Sequence, residues 1–200
     1  MAGWEDGLSP MIRARLAEIG EARPEEKERI REEELLNSVL AEFYKGHIDP
    51  NTLQQRLKGS KLSTLKEAQL NLIHSLNLES TPSEFKRRKE AILAVESLKE
   101  EHIAPVIEVT LNRIGDLQRT CKEKRREILN KLRQEVERNP QLRVIPVRTP
   151  DGRTSFQATL SVDEGLRARL ADSLSGHERK CREEFAAVIE ELKKLVDYSG

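Results

Sequence analysis

Residues 81–139 carry apolar side chains at steps of three and four with a single proline inside, and that stretch confines the chain to a helical architecture. The series is Phe85, Ile92, Val95, Leu98, Ile103, Val106, Ile107, Thr110, Leu111, Ile114, Leu117, Cys121, Ile128, Leu132 and Val136, the recurrence of one helix face. It opens on Thr81-Pro82-Ser83-Glu84, with a capping threonine, proline at the first helical position and glutamate at the third, which together make a capping box. An unbroken helix of this extent measures roughly 87 Å at about 1.5 Å per residue. Pro105 removes one hydrogen bond and crowds the carbonyl four residues back. Because the stripe continues on both sides of it, a kink near 101–105 is expected in preference to two separate helices.

The flanking segments read as shorter units. Residues 1–9 are small and polar, and Ser9-Pro10 opens a short helix that ends at Gly20. Pro24 starts a second helix, rich in glutamate in its first turn, with Gly46 past its end. Asp49-Pro50 opens a third carrying Leu53 and Leu57, closed at Gly59, and Ser60 or Ser63 is the expected cap of a fourth with Leu65, Leu70, Ile73 and Leu76. After Asn139-Pro140, the turn Thr149-Pro150-Asp151-Gly152 between two alternating runs predicts a β-hairpin over about 142–160. Pro146 confines its strand to an edge or a bulge. Ser161-Val162-Asp163-Glu164 is a second capping box, and the helix it opens carries Leu166, Leu170, Leu174, Cys181, Phe185, Val188, Ile189, Leu192 and Leu195. Gly176 is the place where that helix is expected to weaken or break.

The expected fold class is therefore mostly α: a long antiparallel, coiled-coil-like helical hairpin joined by a β-hairpin, with an N-terminal cluster of short helices. Residues 1–80 form one unit and 81–200 the other. Equal rise along two antiparallel helices predicts that facing residue numbers sum to about 301–303, so that Cys121 meets Cys181, Leu117 meets Phe185, Ile128 meets Leu174 and Leu132 meets Leu170.

Composition narrows the function classes. Charged residues are 35% and aromatic residues 4% of the 200, too polar for a thick core but sufficient for narrow seams between helices. Basic and acidic residues number 35 each, which argues against a nucleic-acid or membrane-surface protein. There is no apolar run long enough to span a bilayer and no signal-peptide pattern at the start. Two cysteines are not a disulfide framework, so a cytoplasmic protein is expected.

No catalytic, cofactor-binding or metal-binding residue is expected. Cys121 and Cys181 lie outside any Cys-x-x-Cys motif and read as small apolar seam residues. His47, His74, His102 and His177 show no recurring metal spacing, and no phosphate loop or hydrolase motif is present. The chain is expected not to be an enzyme. Candidate contact residues are Arg143, Val147 and Phe156 in the strands, and two basic clusters containing Lys86, Arg87, Arg88 and Lys124, Arg125, Arg126. Glutamates interleave both clusters, so a solvated helix face competes with phosphate binding.

A non-enzymatic scaffold or adaptor, with protein partners and a homodimer favoured, is the expected function. A nucleic-acid-associated coiled coil is a further possibility. The order helix, β-hairpin, helix over 82–198 is similar in topology to a prefoldin subunit, although no motif of that family accompanies it. That likeness implies a holdase chaperone whose hairpins join through their strands.

Overall fold

The computed structural model describes residues 24–101, 103–138, 144–148, 153–158 and 164–198. Six helices are described: α1 (Pro24–Lys45), α2 (Pro50–Leu57), α3 (Leu62–His74), α4 (Pro82–Glu96), α5 (Ala104–Arg138) and α6 (Glu164–Tyr198). Local chemistry sets most of their ends. The Asp49 carboxylate accepts from Thr52 N at 2.8 Å ahead of Pro50. At Thr81 both halves of the capping box form: Glu84 N donates to Thr81 Oγ1, and Thr81 N donates to Glu84 Oε2 at 2.8 Å. That second bond holds the Glu84 carboxyl below its ordinary pKa. Gly46 and Gly59 take φ of +83° and +86° after α1 and α2, a region open to glycine at no steric cost. The cap of α3 departs from expectation, because Lys61 occupies it and gives no side-chain hydrogen bond.

Two parts of the expected fold class are corrected. The long helix of 81–139 is two helices, α4 ending at Glu96 and α5 starting at Ala104, so the helical hairpin consists of α5 and α6 alone. Pro105 lies in the first turn of α5, where a missing N–H costs nothing. The backbone freed by the break finds a partner in a buried side chain: Glu96 accepts from Ile103 N at 2.8 Å. Glu96 also pairs with Lys99 Nζ at 3.0 Å and accepts from Gln69 Nε2 at 2.9 Å, and neither charged side chain is exposed to solvent. Burial pushes the Lys99 pKa down, against the upward pull of Glu96.

The second correction concerns the β-hairpin expected over 142–160, which is no layer of this fold. The buried core of the described residues comes from helices and the turns joining them. Strand pairing is limited to the backbone of β1 (Val144–Arg148) and β2 (Thr154–Ala158), antiparallel with Val144 opposite Ala158. The helix expected over 10–20, the Ser161 capping box, Arg143, and the side chains of Val147 and Phe156 lie outside the described residues.

The core gathers at one end of the molecule. Leu36, Val39 and Phe43 of α1, Leu53 and Leu57 of α2, Leu65, Leu72 and Ile73 of α3, and Ile92 and Val95 of α4 meet Ile107, Leu111 and Ile114 of α5 and Val188, Leu192 and Val196 of α6. Close approach of α4 to α5 needs Gly115, since a Cβ there would stand 2.9 Å from Phe85 Cε1. Past Cys121 the hairpin leaves this body as a two-helix arm. From Cys121 to Arg138 it runs about 25 Å at the usual helical rise, and of the α5 side chains in it only Val136 is buried. Helix α6 runs unbroken through Gly176.

Candidate functional site

Where body gives way to arm, the hairpin brings both cysteines and one histidine together. Cys121 on α5 and Cys181 on α6 form a disulfide with Cα atoms 6.2 Å apart, at the register the equal helical rise predicts. Ion pairs on either side agree with that register: Arg113 with Glu191 at 2.8 Å, Arg125 with Glu178 at 3.7 Å and Arg169 with Glu135 at 3.6 Å. His177 stands one turn before Cys181 on the same face of α6. Its Nε2–H donates to the Cys121 carbonyl at 2.9 Å, a bond that puts the ring lone pair on Nδ1. Cys181 Sγ lies 3.8 Å from Nδ1 and 3.6 Å from Nε2. The three donor atoms fall within 4.8 Å of one another.

A cavity of about 540 Å³ opens beside them. Its far wall is the connection between α3 and α4, at Asn77, Leu78 and Glu79. Two side chains of α5 hold that wall in place: Gln118 Nε2 donates to Asn77 O at 2.6 Å, and Lys122 Nζ to Ser80 O at 2.7 Å. Lys122, Arg125 and Arg182 line the cavity against Glu79 and Glu178, an excess of positive charge that favours an anionic occupant. Glu178 itself is engaged by Arg125 at 3.7 Å and Arg182 at 3.5 Å.

No family model, curated protein or solved structure matches the chain.

The expected contact residues fare unequally. Arg87 is taken up by the fold. Its guanidinium lies 4.3 Å from the Phe43 ring centroid and donates to the carbonyls of Phe43 and Ile48, the latter at 2.9 Å. It thereby bonds one carbonyl in the last turn of α1, where a cation is favoured, and one in the connection to α2. Arg87→Ala is expected to cost about 2–3 kcal/mol of stability through the lost charged hydrogen bonds and the cation–π contact, read by urea unfolding. A change under about 0.5 kcal/mol would mean that water serves those carbonyls equally well.

Arg88 donates to Ser80 Oγ at 2.9 Å, and Lys86 pairs with Glu90 at 3.8 Å. In the second cluster Lys124 pairs with Glu127 at 3.0 Å and Arg125 with Glu178, while Arg126 is exposed. Three of these six cations thus pair with carboxylates, and Arg87 and Arg88 are held by neutral oxygens of the chain.

Sequence reasoning missed the combination of His177 with the cysteines. The signal was present: a histidine and a cysteine at i and i+4 share a helix face, and the predicted register put Cys121 opposite. Reading the cysteines and the histidines as separate classes hid it.

Proposed function

We propose that the protein is a non-enzymatic interaction scaffold that presents the α5–α6 arm to another helical surface, with a second copy of the chain as its partner. The observation that carries this reading is the state of the arm's apolar seam. Ile128, Leu132, Leu170 and Leu174 are each only partly buried, and Leu129 is 42% exposed. Two helices facing each other leave such a seam open at its flanks, and further helices close it. Formal charge is zero at neutral pH, so two copies meet without net repulsion, a condition that promotes association. Internal pairing of the basic clusters gives the nucleic-acid reading no comparable support.

Light scattering of the intact chain is expected to report twice the 22.9 kDa chain mass. Leu129→Lys, a change at an exposed position, should shift the protein to monomer with its helical circular dichroism unaltered. An intact chain that stays monomeric at tens of micromolar rules out self-association as the arm's role.

No helix among the described residues is long and apolar enough to cross a membrane. Separately from that, we propose a cytoplasmic location on the sequence reading alone. There a pairing of cysteines is ordinarily a transient or sensing state rather than a permanent staple.

A further inference from the structure

We infer that Cys121, Cys181 and His177 form a zinc site when the disulfide is reduced, so that one pair of sulphurs alternates between a covalent clasp and a metal-held one. The donor set is two thiolates and one imidazole, the ligand types zinc takes. Tetrahedral zinc, with bonds of about 2.3 Å to sulphur and 2.1 Å to nitrogen, sets sulphur and nitrogen about 3.6 Å apart and the two sulphurs about 3.8 Å apart. Cys181 Sγ and His177 Nδ1 already stand at 3.8 Å. Once the S–S bond is broken, opening the sulphurs to their zinc separation needs only side-chain rotation, because the Cα atoms stay 6.2 Å apart on two helices.

The tautomer of the imidazole is set before any metal arrives. Metal-bound histidines usually donate their other ring N–H to a carbonyl or carboxylate, which fixes ring and tautomer. Here Nε2–H is committed to the Cys121 carbonyl at 2.9 Å, which leaves the Nδ1 lone pair for a metal; Cys181 Sγ stands 3.8 Å from Nδ1 and 3.6 Å from Nε2, so a small turn of the ring brings Nδ1 to face it. Three protein ligands leave a fourth position, and the same three residues line the 540 Å³ cavity, so that position is open to water or to an anionic ligand among Lys122, Arg125 and Arg182. Glu178 is held by two arginines, which leaves it an outer member of the site.

The exchange balances with a dithiol as reductant. Two electrons and two protons pass from the dithiol to the protein disulfide, giving two cysteine thiols and an oxidised, cyclic disulfide. Zn²⁺ then replaces the two thiol protons, which go to solvent. Oxidation of the thiolates by a disulfide of suitable potential reverses the sequence and expels the metal.

The test uses the full chain, reduced under argon and freed of reductant, titrated with Co²⁺ and then Zn²⁺. The expected result is one equivalent of Co²⁺ with thiolate charge-transfer bands and the intense visible absorption of tetrahedral coordination, displaced by Zn²⁺. The same chain reoxidised to its disulfide should bind none, which serves as a control with unchanged sequence and fold. His177→Ala should weaken binding by more than about 100-fold, beyond the loss typical of an outer-shell partner. A reduced chain that takes up no more metal than its reoxidised form overturns the proposal. So does a His177→Ala chain that binds as tightly as the parent, since the cysteines would then act without the imidazole.

Discussion

Glu96→Ala should lower the free energy of unfolding by about 3–5 kcal/mol, the usual cost of leaving one member of a buried ion pair alone. Three groups lose an acceptor together: the Lys99 ammonium, the Gln69 amide, which keeps only the Ile92 carbonyl at 3.2 Å, and the Ile103 backbone N–H. The two side chains have no easy route to water, because Gln69 and Lys99 lie in the interior with Glu96, whereas Ile103 is partly exposed. The loss is a large share of the roughly 5–15 kcal/mol that holds a typical domain together. Replacing both Glu96 and Lys99 with Met should cost less than Glu96→Ala, since no buried charge then remains without its counter-ion. Urea unfolding of the single and double variants measures this. A cost below about 1 kcal/mol for Glu96→Ala would show that water reaches the carboxylate and that the helix break does not depend on it.

The disulfide is the second place where a small change should have a large effect. It closes a loop spanning 60 residues, and constraining the unfolded chain over such a span stabilises the fold by about 4 kcal/mol in the chain-entropy account. With chelator present to exclude metal, a dithiol reductant should lower Tm on the order of 10 °C in a protein of this size. Cys121→Ser/Cys181→Ser should begin at that lower Tm and ignore the reductant. Equal responses of parent and variant to the reductant would place the effect outside this bond.

Much of the fold was legible because its signals are local. Thr81 through Glu84 and Asp49-Pro50 each declare a helix start within four residues, and Gly46 and Gly59 declare ends. The register of α5 against α6 was legible for a geometric reason: two helices of equal rise, paired at one level, stay paired along their length. The break between α4 and α5 was not. Pro105 announced a disturbance near residue 101, but the choice between kink and break rests on Glu96 reaching Ile103 while held by Gln69, 27 positions away in sequence, and no window of residues contains that arrangement. Alternating runs and a turn sequence likewise marked strands near 142–160, yet said nothing of whether they would pack on the helices. At the sulphur site, both halves of the information were local, and only their meeting in space gave them chemical content.

Two helices that zip together at one end can come apart from the other. The arm has little buried surface to resist fraying from its tip, whereas the body has a packed core. The Cys121–Cys181 bond lies at the border between them, so an opening that begins near Arg138 and Glu164 must halt at that bond while it is intact. When the bond is cut, the front can advance toward Gln118, whose hydrogen bond holds the wall at Asn77. The oxidation state of two atoms thereby sets how far a fluctuation at the exposed end can travel.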